Sequence, residues 1–142
     1  MVIGVKMIKY CIILIYNKDR SKILMCHRIK QPYIGLKNLV GGKIEKGESP
    51  LDAAYREMEE ETSITKNDID IHHVISTNYV LENISLDVFA GRLKHDVKVY
   101  GDENPLCWID ADDNFFDITR YAGDGNLGHI LLCANYHKKK IF

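Results

Sequence analysis

The chain has 142 residues, of which 46% are apolar and 27% charged, and a formal net charge of −1. That length is enough for one domain with a buried core of its own, spanning residues 1–142, and the composition excludes a disordered chain. The near-neutral balance excludes bulk attraction to polyanions, so a nucleic-acid polymer is not expected as the ligand.

The segment Lys9 to Ile29, "KYCIILIYNKDRSKILMCHRI", holds two apolar runs around a polar turn at Asn17–Ser21. It predicts a β-hairpin with both strands largely buried. The run "CIILIY" is too short to cross a bilayer, and no secretory pattern precedes it, so the expectation is a cytoplasmic protein without a membrane partner. A short third strand, Asn38 to Val40, leads into the glycine pair Gly41-Gly42.

The stretch from Gly41 to Thr62, "GGKIEKGESPLDAAYREMEEET", ends in a dense acidic run. Ser49 suits a helix N-cap, Pro50 the first helical position, and Asp52 lies three residues after the cap, so a helix is predicted from there. At 100° per residue Leu51, Ala54, Tyr55 and Met58 share one side, which should face the core. Glu57, Glu60 and Glu61 fall on the adjoining arc, while Asp52 and Glu59 point away from both. Like charges one turn apart repel, and repulsion beside a core-facing stripe costs more than on an open surface. A divalent cation would remove the conflict, and hard oxygen ligands suit Mg²⁺ or Mn²⁺. The preceding glycines allow a close backbone approach that can present peptide groups to a metal or a phosphate.

Two longer strands are expected in "IHHVISTNYVLE" (71–82) and "ISLDVFAGRL" (84–93), as the central strands of a mixed sheet. "CWID" (107–110) reads as one more strand and "LGHILLCANYHK" (127–138) as a closing helix. The order of strands, helix, strands, helix gives an α+β class in which helices cover a sheet. Cys11, Cys26, Cys107 and Cys133 are spread without a C-x-x-C pair and read as reduced thiols. His27, His72 and His73 lack zinc-ligand spacing, and "HKKK" (137–140) reads as a solvated end.

Taken together, the acidic stretch resembles the signature of the Nudix hydrolases: Gly, five residues, Glu, seven residues, then Arg-Glu-apolar-x-Glu-Glu-x-Gly-apolar. Gly42, Glu48, Arg56, Glu57, Met58, Glu60, Glu61 and Ile64 match, and only the last glycine differs, being Ser63. The resemblance implies an α/β/α sandwich with a mixed sheet between helices. It also implies Mg²⁺-dependent hydrolysis of a nucleoside diphosphate linked to another group. On this chain it makes Glu57, Glu60, Glu61 and the Gly41 carbonyl metal ligands, with Mn²⁺ as an alternative ion. Arg56 and Glu48 support the carboxylates, Arg56 reaching Glu60 at i,i+4 and Glu48 across the loop, and Lys43 is placed to meet a phosphate. The general base stays open between Glu57 or Glu60 and an acidic loop residue, Asp102 or Glu103. Ser63 stands where a left-handed helix cap is expected, which bears on stability more than on chemistry.

Weaker likenesses to MutT-type and oxidised-purine nucleoside triphosphatases make Asn38 and Asp124 candidate base readers, with Tyr121 as the adjacent ring. Asn38 can equally close a strand end, Asp124 can cap the last helix, and Trp108 fits the core. The expected activity is conversion of a nucleoside triphosphate, an 8-oxo-purine or other damaged purine nucleotide, to monophosphate and pyrophosphate. The rivals are hydrolysis of ADP-ribose, a dinucleoside polyphosphate or a nucleotide sugar, and a non-catalytic nucleotide sensor. A monomer and a homodimer fit the sequence equally well.

Overall fold

The structure is a computed structural model that describes residues 6–142; residues 1–5 of the expected domain lie outside the described part. Its elements are β1 (Ile8–Tyr16), β2 (Lys22–His27), β3 (Lys37–Asn38), β4 (Val40–Lys43), α1 (Pro50–Thr62), β5 (Ile69–Tyr79), β6 (Ile84–Leu93), β7 (Leu106–Asp110), α2 (Asn126–Tyr136) and α3 (Lys138–Ile141). The strands form one mixed sheet, giving the expected α+β architecture. β1 runs parallel to β6, and β6 is antiparallel to β5. β6 is therefore central, but β5 is an edge strand and not the second central strand that its apolar length suggests.

The predicted hairpin forms, yet β1 and β2 pair directly only beside the turn, at Tyr16 and Ile23. Beyond that point they part: β4 pairs with β1, while β3 and β7 pair with β2. The strand expected at Asn38–Val40 is accordingly two short strands broken at Leu39. Residues 37–38 bond to β2, residues 40–43 bond to β1, and one continuous strand cannot serve both diverging partners. The gap so opened becomes the cleft described below.

Alternation along the strands sends one set of side chains to each face. Cys11, Ile13, Ile15, Leu24, Val40 and Phe89 pack with Ala53, Ala54 and Met58 of α1. Leu14, Tyr16, Met25, Val88 and Ala90 pack with Leu127, Ile130 and Ala134 of α2 on the other. The four cysteines are free, two buried and two half-buried, and Trp108 packs against the α1-side core.

α1 begins as predicted, with the Ser49 hydroxyl accepting the Asp52 N–H at 3.1 Å and Pro50 in the first turn. Its buried face differs from the expected one: Leu51 is 42% exposed, whereas Ala53 and Thr62 are fully buried. The contact stripe is set by the small Ala53 and Ala54, which let the helix sit close against β4 and β1. The buried Thr62 hydroxyl is satisfied by donating to the Met58 carbonyl at 2.6 Å. Ser63 ends the helix at φ 68°, the left-handed cap that its position implies.

Candidate active site

The loop into α1 and the acidic face of α1 are fitted to each other at two glycines. A Cβ on Gly42 would lie 2.4 Å from Cδ of Glu57, and one on Gly41 only 2.1 Å from the Cys11 carbonyl oxygen. Gly41 therefore lets β4 lie against β1, and Gly42 leaves space for the Glu57 carboxylate. The Gly41 N–H donates to Oε2 of Glu61 at 3.4 Å.

Arg56 is the hub of this region. Its Nε and Nη2 donate to the two oxygens of Glu48 at 2.7 and 2.9 Å, a bidentate pair. Nη1 donates to Glu57 at 2.8 Å and to Glu60 at 3.3 Å, and Nη2 also reaches the Lys43 carbonyl at 3.0 Å. Both expected contacts of Arg56, to Glu60 within the helix and to Glu48 across the loop, are present. The guanidinium holds Glu48 down to about pKa 2. Burial pushes Glu57 up despite Arg56, and pushes Glu61 up to about 7, with the Gly41 amide opposing and the Glu57 charge reinforcing the shift.

Among the described residues no three His, Cys, Asp or Glu side chains already converge as a metal cage. The physical reason is visible: Glu57 and Glu60 turn toward Arg56, and Glu61 toward the Gly41 amide. The donor set nevertheless fits a divalent cation. It is all hard oxygen, it is kept clear by Gly42, and its most buried member is pushed well above the usual carboxylate range, so a positive charge beside it would be favoured.

Glu57, Glu60 and Glu61 line a pocket of about 210 Å³ together with Cys26, Asp102, Glu103 and Asn104, so the loop acids named from the sequence face the helix carboxylates. Cys26, Glu61 and Asn104 also border a larger cleft of about 760 Å³, a size typical of small-ligand sites. Asn38 and Asp124 both line that cleft. Asn38 Oδ1 accepts the Leu39 N–H at 2.8 Å, leaving its amide NH₂ as donor. Asp124 makes no side-chain cap to α2; it accepts the Tyr33 hydroxyl at 2.9 Å.

Two expectations are corrected. Tyr121 is 1% exposed, packs its ring on Phe115 and donates its hydroxyl to Asp113, because its segment enters the α2-side core; it does not border the cleft. Lys43 is exposed at the end of β4, lines neither pocket, and contributes its carbonyl to Arg56. Among the described residues the rings that do border the cleft are Tyr10, Tyr33 and Tyr79, and the cation is Arg28. Sequence reading gives no role to Tyr10, Tyr33 or Arg28, because the strand divergence that opens the cleft is non-local.

A carboxylate face braced by arginine, opening onto a cleft of small-ligand size in this α/β/α fold, is the arrangement of a hydrolase acting on phosphoric anhydrides, the class to which the family match assigns the chain. The NUDIX domain model matches residues 6–126, and the chain belongs to that family, whose members generally need divalent cations. A solved Ap4A hydrolase from C. elegans is similar at TM-score 0.73 and 21% identity, covering 93% of this chain and 99% of that one. MutT from Aliivibrio salmonicida and Vibrio cholerae is similar at TM-score 0.68 and 25% identity, covering 89% and 98%. A MutT/nudix family protein from Enterococcus faecalis matches at TM-score 0.65 and 20% identity over 78% of this chain; the match spans 46% of that protein's length. No helix among the described residues is long and apolar enough to cross a membrane.

Proposed function

We propose that the chain hydrolyses a nucleoside triphosphate to the monophosphate and pyrophosphate with Mg²⁺, preferring an oxidised purine such as an 8-oxo-purine nucleotide. The observation that carries this reading is the common cleft of Asn38 and Asp124, one offering an amide donor and the other a carboxylate acceptor, opening onto the pocket of Glu57, Glu60 and Glu61. An 8-oxo-purine carries an N7–H donor that the parent base lacks, and Asp124 and Glu82 supply acceptors in the cleft. Tyr33 and Tyr79 take the place of Tyr121 as candidate stacking rings.

Glu57, Glu60, Glu61 and the Gly41 carbonyl would hold the ion, Mn²⁺ substituting for Mg²⁺; when bound it neutralises phosphate charge and acidifies water. Arg56 orients Glu57 and Glu60, and Glu48 in turn fixes Arg56. The attacking water gives its proton to a carboxylate as it approaches phosphorus in line. Glu57 and Glu60 are both engaged by Arg56, whereas Asp102 and Glu103 border the pocket with no hydrogen bond or ion pair among the described residues. We assign the acceptor role to that loop pair.

The test is a panel of normal and 8-oxo-purine triphosphates, ADP-ribose and a dinucleoside tetraphosphate, assayed with Mg²⁺ and with chelator. Oxidised purine triphosphates should be cleaved fastest, with activity lost to the chelator. Replacing Asn38 and Asp124 by Ala should raise KM chiefly for the preferred base. A uniform KM effect on every nucleotide removes the base-reading assignment, and no metal-dependent cleavage of any substrate removes the enzymatic one.

A further inference from the structure

The carboxylate pocket and the larger cleft meet at Cys26, Glu61 and Asn104. A nucleotide with its base between Asn38 and Asp124 and its scissile phosphate among the α1 carboxylates must carry its phosphate chain across that junction. Arg28 stands there, two residues past Cys26 and next to Ile29, whose N–H donates to Asn104 Oδ1 at 3.3 Å. Among the described residues it is the one cation lining the cleft; the other charged side chains on that wall, Glu61, Glu82 and Asp124, are acidic.

Arg28 is half-buried, and its Nε–H donates to the Pro32 carbonyl at 3.1 Å, which fixes the guanidinium plane. Both terminal amino groups remain. Among the described residues no carboxylate lies within ion-pair distance of them. Arg56, by contrast, is committed to three glutamates. A pinned fork of unused donors in an otherwise acidic cleft is complementary to a phosphate.

We propose that Arg28 binds the polyphosphate chain of the substrate where it passes from the cleft to the carboxylate pocket, the contact that the sequence assigned to Lys43. This rests on the nucleotide reading above for the identity of the substrate. Arg28 meets phosphate and not base, so its contribution is independent of the nucleobase.

Arg28→Gln and Arg28→Lys are compared with the unaltered chain in two measurements with Mg²⁺: calorimetric titration with inorganic tripolyphosphate, and kinetics on purine and pyrimidine triphosphates. Arg28→Gln should weaken tripolyphosphate binding by about tenfold or more and raise KM for all triphosphates by a similar factor. Arg28→Lys should recover part of the loss, since it keeps the charge and gives up the fork. Unaltered tripolyphosphate affinity in Arg28→Gln, or a KM change confined to one base, overturns the assignment. Should Arg28→Gln fail to fold by circular dichroism, Arg28→Lys decides: affinity equal to the unaltered chain's overturns the fork geometry, and a several-fold loss supports it. If the unaltered chain cleaves no triphosphate, the proposed activity fails while the titration still decides Arg28.

Discussion

Gly42→Ala and Gly41→Ala are adjacent substitutions of one methyl group, and the structure gives them very different consequences. Neither glycine lies at positive φ, so alanine is allowed by the local backbone at both. At position 42 the new Cβ meets the Glu57 carboxylate, at 2.4 Å from Cδ and 2.5 Å from each oxygen. That is the far end of a flexible side chain, which can swing aside. Doing so breaks the 2.8 Å bond to Arg56, whose partners are 26% and 15% exposed. A charge-assisted bond of this kind contributes about 1.5–3 kcal/mol, and the stiffer unfolded chain returns about 0.4–1 kcal/mol. The net cost is about 1–2 kcal/mol, a fall in Tm of about 3–6 °C. With Glu57 holding the ion as proposed, moving its carboxylate by about an ångström should lower turnover about a hundredfold. At position 41 the obstacles are the Cys11 carbonyl oxygen at 2.1 Å and Ile12 Cα at 2.8 Å, both backbone of β1. The four-residue pairing of β1 with β4 must open, and the expected loss exceeds about 4 kcal/mol. Thermal unfolding and steady-state kinetics on both variants check this. Turnover of Gly42→Ala within a few-fold of the unaltered chain, or equal destabilisation by the two substitutions, refutes the reasoning.

Asp113 receives both terminal nitrogens of Arg120, at 3.0 and 2.7 Å, and the Tyr121 hydroxyl, which together hold its carboxyl at about 2 against an ordinary 3.8. Its folded pKa is depressed, so its contribution is present above 3.8 and lost as pH falls toward about 2. The stability gap between the unaltered chain and Asp113→Asn, measured by urea unfolding, should shrink across that window; a gap independent of pH contradicts it. Ser63→Gly should relieve the left-handed strain at φ 68° by about 1 kcal/mol and raise Tm by about 2–4 °C without altering KM. An unchanged or lower Tm in a thermal scan would show that Ser63 carries no strain.

Much of the site is legible in the sequence because it is local. The Ser49 cap, the left-handed cap at Ser63 and the reach of Arg56 to Glu60 follow from spacing along one helix, and Arg56 to Glu48 spans one loop. What the sequence hides depends on partners far along the chain. Leu39 breaks a strand because residues on either side bond to strands that diverge. β5 lies at an edge because β1 chooses β6, not β5, as its parallel neighbour. Tyr121 carries no local mark to separate it from Tyr33 or Tyr79; only the packing of the α2 side sends one to the core and the others to the cleft. Leu51 shows the limit of a helical wheel, which gives an angle but not where the sheet beneath ends.

The like charges on α1 and in the loop before it are held in place unevenly. Glu48, Glu57 and Glu60 share one guanidinium, so their mutual repulsion is answered inside the chain, and Glu48 is held low as a result. Glu61 is outside that arrangement: its protein contact is a long amide bond from Gly41, and burial lifts it to about 7. With its folded pKa above the ordinary 4.5, Glu61 favours the fold below that pH and costs stability as pH rises toward about 7. Near neutral pH the fold therefore opposes ionisation at Glu61 more than elsewhere on this face, and a divalent cation bound as proposed would offset that cost by pairing there. Arg56 braces Glu57 and Glu60, whereas Glu61, whose burial the Arg28 charge only partly offsets, is the carboxylate that a cation held here as proposed would help most.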